Sequence, residues 1–183
     1  MVNIIDTVCA KADEASIRQA GQILKRGGLV AFPTETVYGL GADALNEDAA
    51  AKIYAAKGRP SDNPLIVHIT ERKMLDAIVS EVSAQAELLM EKFWPGPMTL
   101  IFKKSARVPY GTTGGLDTVA VRMPSHPIAR AVIDAGGGYI AAPSANTSGR
   151  PSPTKAAHVE EDLCGKIDMI LDGGEVEIGL EST

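Results

Sequence analysis

The chain has 183 residues, 45% of them hydrophobic and 22% charged, and its formal net charge is −5. This length and composition are ordinary for one globular domain, and they exclude fibrous, disordered and disulfide-dependent proteins. The acidic balance argues against general electrostatic binding of nucleic acid, although it is compatible with a local basic patch.

Two further sequence features bear on location and on metals. No window of about 18 apolar residues occurs, and no basic segment precedes an apolar one near the N-terminus, so we expect a cytoplasmic protein. Cys9 and Cys164 are far apart in the sequence and form no CxxC pair. We therefore expect two reduced thiols and no metal site built by the protein.

Helical and strand patterns alternate along the chain. Residues 13–26 carry apolar side chains at helical spacing before a Gly-Gly pair, which predicts an amphipathic helix. Residues 29–32 are all apolar and are bounded by glycines and a proline, which is typical of a strand buried on both faces. Further helices are predicted at 47–57, 72–79, 84–93, 128–135 and 155–163, and further strands at 65–69, 98–103, 118–123, 139–142 and 169–171. This alternation predicts a single α/β or mixed α+β domain with one central sheet.

The connections between these elements are rich in Pro, Thr, Ser and Asn, and loops on a rigid scaffold often carry binding groups. The segment PTETVYGLG directly follows a predicted buried strand, and its hydroxyls and glycines suit the close approach of a small ligand. The same hydroxyls are equally suited to capping backbone amides in a strand-to-helix turn. The loop AAPSANTSGRPSP has the same two interpretations, and composition does not separate them.

Lys57 and Arg59 stand at a predicted helix end, and Pro60 and Pro64 stiffen the loop that follows. Cations held in this way suit phosphate groups, because Arg supplies a planar fork of donors and Lys supplies a compact charge. The alternative is a solvated helix end, where basic residues complement the macrodipole.

His68 and Arg122 each interrupt an apolar strand near its carboxyl end, where ligands settle in open α/β sheets. A histidine in such a strand is also common as a hydrogen-bonded core residue. A buried Arg122 needs an anion, which is either an internal carboxylate or a ligand carboxylate.

Several common catalytic motifs are absent from the sequence. There is no GxxxxGK[ST] phosphate loop, no GxGxxG, no HExxH and no GxSxG. No Ser, Cys or Lys has a histidine placed near it in the sequence that would activate it as a nucleophile. A nucleotide, if one binds, must therefore be held in another way.

Six segments, taken in order, resemble the YrdC/Sua5 family of L-threonylcarbamoyladenylate synthases: PTETVYGLG, KGRPSDNPLIVHI, WPGPMTLIF, VAVRMPSHP, APSANTSGRPSPT and GLEST. The resemblance covers nearly the whole chain. It implies a YrdC-like domain with a twisted open sheet flanked by helices and a concave ligand cavity on one side. It also implies a nucleotidyltransferase that condenses L-threonine, bicarbonate or CO2, and ATP into L-threonylcarbamoyladenylate and pyrophosphate. That product feeds threonylcarbamoylation of adenosine 37 in tRNAs that read ANN codons.

The resemblance also implies site residues, where this sequence matches the family motifs. ATP would be bound by Lys57, Arg59, Asn63, Thr118, Ser144, Asn146 and Ser152, with Lys57 and Arg59 acting in catalysis. L-Threonine would be bound by Thr36, His68, Arg122, Ala142 and Ser182. ATP is expected to be a substrate that carries Mg²⁺ with it. The expected partners are tRNA-modification proteins that accept the product, with at most weak contact to tRNA and none to a membrane.

The terminal GLEST resembles the two-domain Sua5 branch, in which a linker and a smaller C-terminal domain follow. Since the sequence stops at Thr183, residues 1–183 are expected to be the synthase domain without that second domain. Two other functions stay open: a domain that makes carbamoyl-adenylate from carbamoyl phosphate, and an RNA-binding module of the same fold. Net acidity and an aromatic content of 4% count against RNA binding.

Overall fold

The computed structural model describes residues 4–183, in which strands and helices alternate. The strands are β1 Val8–Lys11, β2 Val30–Pro33, β3 Tyr38–Asp43, β4 Ile66–His68, β5 Thr99–Lys103, β6 Thr118–Arg122, β7 Ile140–Ala141 and β8 Met169–Asp172. The helices are α1 Glu14–Lys25, α2 Glu47–Lys57, α3 Ala84–Phe93, α4 Tyr110–Thr113, α5 Pro127–Ala135 and α6 Ala156–Leu163, with a 3-10 helix at Arg72–Ala77. The eight strands form one mixed sheet in the order β1-β8-β2-β3-β7-β4-β6-β5.

The predicted α/β class with one central sheet is confirmed. Helices α2 and α3 have the predicted bounds, and β2 is buried along its whole length, as predicted for residues 29–32. The sequence patterns do not predict β1, β3 or α4, and the predicted helix at 72–79 is a shorter 3-10 helix. None of the helices within residues 4–183 is long and apolar enough to cross a membrane.

The interpretation of PTETVYGLG as a loop is wrong for its second half. Strand β3 begins at Tyr38 and pairs antiparallel with β2, so only residues 34–37 form the turn between them. The glycine at position 41 makes the segment look like a loop, but it has a packing reason. A Cβ there would lie 2.6 Å from Phe32 Cε1 and 3.0 Å from Ile140 Cγ2. This glycine is needed for close packing within the sheet rather than for a turn.

Local signals set the ends of the helices that flank the sheet. The Asp13 carboxylate accepts a hydrogen bond from Ser16 N at 2.8 Å, while Asp13 N donates to Ser16 Oγ at 2.9 Å, and this capping box starts α1. Helix α2 starts at an Asn46 cap and ends at Gly58, whose φ of 61° favours glycine. Gly58 turns the chain out of the helix directly before Arg59.

On one face of the sheet, helices cover only part of the strands. Helices α1 and α5 pack against side chains of β2, β7 and β8 on one face. The same face continues over β4 and β6, because Ile140 is paired with His68 and His68 with Arg122. There Ile66 is only half-buried, and Ile101 of the neighbouring β5 is 72% exposed. The β4-β6-β5 half of this face is therefore open.

Gly21 lies where α1 packs on α5, and its substitution tests how closely the two helices approach. In a helix interior, Ala is more favourable than Gly by roughly 1 kcal/mol. Here, however, a Cβ would lie 2.5 Å from the Ala135 carbonyl oxygen and 2.6 Å from Ala135 Cβ. We expect Gly21→Ala to lower the free energy of unfolding by about 1–3 kcal/mol, measured by urea denaturation. Gln22→Ala, at an exposed position of the same helix, should change it by no more than about 0.5 kcal/mol. A stabilised Gly21→Ala variant would contradict this packing.

Candidate functional site

The open half of the sheet carries a cavity at the carboxyl ends of two parallel strands. Strands β4 and β6 pair in parallel, and their last residues, His68 and Arg122, are register partners. The turn between β2 and β3 and the chain after β7 form two further walls, and the cavity encloses about 160 Å³. The concave cavity that the resemblance implies is therefore present on one side of the sheet.

Seven of the twelve predicted site residues line this cavity. They are Thr36, Arg59, His68, Arg122, Ala142, Ser144 and Ser182. The remaining lining residues are Thr34, Val37, Gly39, Pro64, Ile66, Pro143 and Glu181. The structure thus brings together residues from six separate loops and strands, and it leaves Lys57, Asn63, Thr118, Asn146 and Ser152 outside the lining.

Arg122 is buried, and its guanidinium is bound on three sides. Nη2 donates to Glu35 Oε1 at 2.6 Å, Nη1 to Thr36 Oγ1 at 3.1 Å, and Nε to the Gly96 carbonyl oxygen at 3.2 Å. Burial raises the pKa of Glu35, but the Arg122 cation outweighs it and the net shift is downward, so this carboxylate is ionised. The anion that a buried Arg122 requires is therefore an internal carboxylate. Two of the five guanidinium N–H groups are left for a ligand.

His68 lies in the floor of the cavity and is neutral. Nδ1 lies 3.1 Å from the Ile66 carbonyl oxygen, and since a carbonyl only accepts, Nδ1 carries the proton and Nε2 is left as an acceptor. Burial lowers the pKa of His68 to about 3, and the Arg122 cation acts in the same direction. His68 is thus both a buried residue of the sheet and a lining residue of the cavity.

Arg59 is half-buried and is held by its own loop. Nε donates to the Asn63 carbonyl oxygen at 3.4 Å, and Nη2 donates to the Pro64 carbonyl oxygen at 3.2 Å. The proline-stiffened loop therefore restricts this arginine, as the sequence predicts. Because both acceptors are uncharged, the positive charge of Arg59 is available to an anion in the cavity. Among the described residues that line the cavity, only Glu181 is acidic.

Lys57 lies outside the lining of the cavity, and its ammonium is bound to the loop after β7, part of which lines the cavity. Lys57 is 1% exposed, and Nζ donates to the carbonyl oxygens of Ser144 and Asn146 and to Asn146 Oδ1. These bonds use all three N–H groups of the ammonium. Burial lowers the pKa of Lys57 to about 8, with Arg59 acting in the same direction, so Lys57 still carries its charge at neutral pH. Lys57 ties the end of α2 to the loop after β7.

Asn146 and Ser152 lie next to the cavity rather than in its lining. Asn146 Nδ2 donates to the carbonyl oxygens of Thr147 and Arg150, so this side chain shapes its own loop. The Ser152 hydroxyl donates to the Glu181 carboxylate. Both residues therefore act on the walls of the cavity in this structure.

Asn63 and Thr118 are further away. Asn63 is exposed on the loop that holds Arg59. Thr118 begins β6, on the same face of the strand as Arg122, because the two are four positions apart. At about 3.3 Å per residue, Thr118 is roughly 13 Å from Arg122 along the strand.

Residues 179–183 cross the edge of the cavity and form one of its walls. Gly179 N donates to the Thr36 carbonyl oxygen at 2.9 Å, and Thr99 N donates to the Thr183 carbonyl oxygen at 2.8 Å. Between these anchors, the hydroxyls of Ser182 and Thr99 lie 3.3 Å apart. This segment therefore bridges the turn after β2 and the start of β5.

A larger cavity of about 710 Å³ lies on the other side of Lys57, between the ends of α1 and α2. Its lysines bind backbone carbonyls: Lys52 Nζ donates to Gly27 O at 2.6 Å, and Lys166 Nζ donates to Asp162 O at 2.8 Å. It contains none of the predicted site residues other than Lys57. We therefore assign the candidate site to the smaller cavity.

Glu35 and Glu181 are site residues that the sequence analysis missed. Glu35 stands beside Thr36 in PTET, and Glu181 stands beside Ser182 in GLEST. An acidic residue in a polar loop is normally solvated, so its type alone carries no signal of a site. The one sequence signal for Glu35 and Glu181 is that each stands next to a residue predicted to contact a ligand.

The arginines of the cavity can neutralise an anion, and the low pKa of His68 makes this lining histidine a weak base. The two arginines come from different elements, and the one lining histidine stays neutral. Within residues 4–183, no group of three or more His, Cys, Asp or Glu side chains is placed to hold a metal ion. The fold and the site therefore define an α/β protein with an arginine-lined cavity on the open face of a mixed sheet.

The comparison with known sequences defines the family. A model of the Sua5/YciO/YrdC family, described as telomere recombination, matches residues 22–183. The threonylcarbamoyl-AMP synthase of Pyrococcus abyssi is 56% identical over 182 residues, which are 100% of this chain and 54% of that protein. The threonylcarbamoyl-AMP synthase of Halorhodospira halophila is 40% identical over 86% of this chain and 82% of that protein. The chain belongs to the Sua5/YciO/YrdC family.

Solved structures agree with this family. The crystal structure of P. abyssi Sua5 complexed with L-threonine superposes with a TM-score of 0.92 at 57% identity. The match covers 98% of this chain and 53% of that one. The chain thus spans about half the length of the relatives that it matches at more than 50% identity.

The different contacts of Lys57 and Arg59 predict different effects on stability. Lys57→Met removes the donor of three buried oxygens, so we expect the free energy of unfolding to fall by about 3 kcal/mol or more. Arg59→Met removes two hydrogen bonds of a half-buried side chain and should cost about 1 kcal/mol or less. Urea denaturation of both variants measures the difference, and equal losses would contradict the structural role of Lys57.

The low pKa of His68 predicts a loss of stability in acid. The native state keeps this imidazole neutral down to about pH 3, whereas the unfolded chain binds a proton below its ordinary value of 6.5. His68 alone should therefore lower the free energy of unfolding by about 2.3 kcal/mol between about pH 6.5 and about pH 4.5. Denaturation at both pH values should show this loss in the wild type and a smaller one in His68→Gln. The exposed His158→Gln should behave like the wild type.

Proposed function

We propose that this chain is the catalytic domain of an L-threonylcarbamoyladenylate synthase, which joins L-threonine, bicarbonate or CO2, and ATP and releases pyrophosphate. The observation that carries this proposal is that Arg59 and Arg122 face one cavity, with a neutral His68 beside them. The name of the P. abyssi relative and the L-threonine in the P. abyssi Sua5 structure support it. The relative from H. halophila, 82% of which is covered, supports assigning the reaction to this part of the chain.

The cavity beside Arg122 is the proposed L-threonine site. Its volume of about 160 Å³ is below the roughly 300–1,000 Å³ of pockets for drug-sized ligands, so it suits an amino acid better than a nucleotide. The two free N–H groups of Arg122 would bind the carboxylate through charge-assisted hydrogen bonds. His68 Nε2 would accept a hydrogen bond from the substrate, and Thr36, Ala142 and Ser182 would form the walls.

The nucleotide would occupy the open face of the sheet next to this cavity. Arg59 would bind its phosphates, with the Ser144 hydroxyl as a further donor, and the Ser152 hydroxyl would join them by leaving Glu181. Thr118 lies at the far end of β6, at a distance that suits an extended ligand such as ATP. The exposed Ile101 on the neighbouring strand offers an apolar surface for the base.

Three other residues would contribute through the loops around the nucleotide. Lys57 holds the backbone carbonyl of Ser144, and the Asn146 side chain holds its own loop, so both would position this phosphate-binding loop rather than contact the reacting atoms. Asn63 provides the backbone carbonyl that holds Arg59 and would contact the nucleotide from the same loop. Lys57 would also add positive charge behind the loop, because it is charged at neutral pH.

In the proposed reaction the substrates supply both nucleophiles. The L-threonine amine attacks CO2 and loses a proton to give a carbamate. A carbamate oxygen then attacks the α-phosphorus of ATP, the bond from that phosphorus to the bridging oxygen breaks, and pyrophosphate leaves. The protein positions the reactants and neutralises charge, with Arg59 beside the departing phosphates. Mg²⁺ would enter with ATP, since residues 4–183 contain no cluster of three metal-binding side chains.

The product would pass to the proteins that transfer the threonylcarbamoyl group to adenosine 37 of tRNAs that read ANN codons, in the cytoplasm. No contact or charge pattern in the described residues favours the carbamoyl phosphate reaction or direct RNA binding. Pyrophosphate release from ATP should depend on both L-threonine and bicarbonate, and carbamoyl phosphate should not replace them. Release that is independent of L-threonine would refute the proposed reaction.

The two arginines should affect different substrates. Arg59→Ala should weaken ATP binding and Arg122→Ala should weaken L-threonine binding, each by about 10- to 100-fold, because each removes charge-assisted hydrogen bonds worth about 1.5–3 kcal/mol. Isothermal titration with each substrate measures both effects. Arg18→Ala, on the exposed side of α1, should leave both affinities unchanged. If Arg122→Ala lowered only the affinity for ATP, the assignment of the amino acid site would be wrong.

A further inference from the structure

Glu35 is a buried carboxylate that does not line the cavity. Its side chain is 7% exposed, and it lies between Thr34 and Thr36, both of which do line the cavity. Oε1 accepts the Arg122 hydrogen bond, whereas Oε2 is buried and has no hydrogen-bond partner among the described residues. Placing a carboxylate here is costly, because burial penalises the charge and one oxygen is left unsatisfied.

The geometry of Arg122 shows what this carboxylate achieves. Glu35 accepts from one terminal nitrogen and Thr36 from the other, while Gly96 accepts from Nε. These three bonds fix both the position and the plane of the guanidinium. One N–H on each terminal nitrogen stays uncommitted, which is the pair that a planar carboxylate ligand requires. Without Glu35, only two uncharged acceptors would hold the group.

Charge balance gives Glu35 a second effect on the same arginine. Arg122 is 4% exposed at its side chain, and Glu35 is its ion-pair partner at 2.6 Å. His68 is the register partner of Arg122 and stays neutral, so it adds no second positive charge beside the guanidinium. An unpaired guanidinium at this depth would turn toward other acceptors or water, and its free N–H groups would no longer point in one direction.

We propose that Glu35 is a positioning residue that sets the orientation of the Arg122 guanidinium for the substrate carboxylate. The inference deepens the proposed function and rests on it. Glu35 acts through Arg122 and does not touch the substrate. Its effect should therefore be confined to the amino acid and should vanish when Arg122 is absent.

The first test compares ligand affinities by calorimetric titration of the folded variants. Glu35→Ala should raise the dissociation constant for L-threonine by about 10-fold or more and change that for ATP by less than about 2-fold. Glu35→Gln keeps an acceptor oxygen but not the charge, so its dissociation constant for L-threonine should lie between those of the wild type and Glu35→Ala. Glu71→Ala removes a glutamate paired with Lys73 on the surface and should change neither affinity.

The second test is a double-mutant cycle, which also covers the case in which Glu35→Ala does not fold. On an Arg122→Met background, Glu35→Ala or Glu35→Gln should cause no further loss of L-threonine affinity. The Arg122→Met, Glu35→Gln double variant should also melt at a higher temperature than Arg122→Met alone, because it no longer buries an unpaired carboxylate.

The outcomes separate this inference from the proposed function. A wild type that binds no L-threonine refutes the proposed function. A wild type that binds L-threonine with the same affinity as Glu35→Ala refutes the positioning role. Equal losses from Glu35→Ala with and without Arg122, or a double variant that melts below Arg122→Met, would likewise show that Glu35 does not act through Arg122.

Discussion

The site depends on keeping one permanent positive charge, that of Arg122, buried at the open face of a sheet. A buried guanidinium is tolerated only where its charge is balanced and its N–H groups are bonded. Glu35 balances the charge, and Thr36 and Gly96 accept further bonds. The turn after β2 and the loop before β5 are therefore held by the same side chain that faces the cavity. Any change in this arginine alters both the walls and the ligand contacts of the site.

Lys57 and Arg59, at the end of α2, have different roles: the lysine stabilises the structure and the arginine faces the cavity. The Lys57 ammonium donates all three of its hydrogen bonds to the loop after β7. Arg59 donates only to carbonyl groups of its own loop, so its charge has no anionic partner among the described residues near the cavity. The two residues are separated by Gly58, whose left-handed backbone sends them in different directions. One short segment therefore supplies both a lysine that holds the loop after β7 and an arginine that lines the cavity.

The position of the cavity follows from how the helices are distributed. Helices α1 and α5 cover only the β8-β2-β3-β7 part of one sheet face, so the face over β4, β6 and β5 stays accessible. Along β6 this open face carries Arg122 at one end and Thr118 at the other. A small cavity at the arginine end and an open surface beyond it suit two ligands of different size. This arrangement agrees with a reaction that joins an amino acid to a nucleotide.

The sequence by itself determined the α/β class, the bounds of α2 and α3, the buried strand β2, and half of the residues that line the cavity. These features depend on periodicity, caps and motifs within a few neighbouring positions, which one sequence displays directly. Only the tertiary structure decided that Glu35 pairs with Arg122, 87 positions away, and that Lys57 turns inward to Asn146, 89 positions away. It also decided that residues 38–43 form a strand, in which Gly41 is required by close packing against Phe32 and Ile140. Buried charges and close packing are set by partners distant in sequence, so residue type alone did not reveal them.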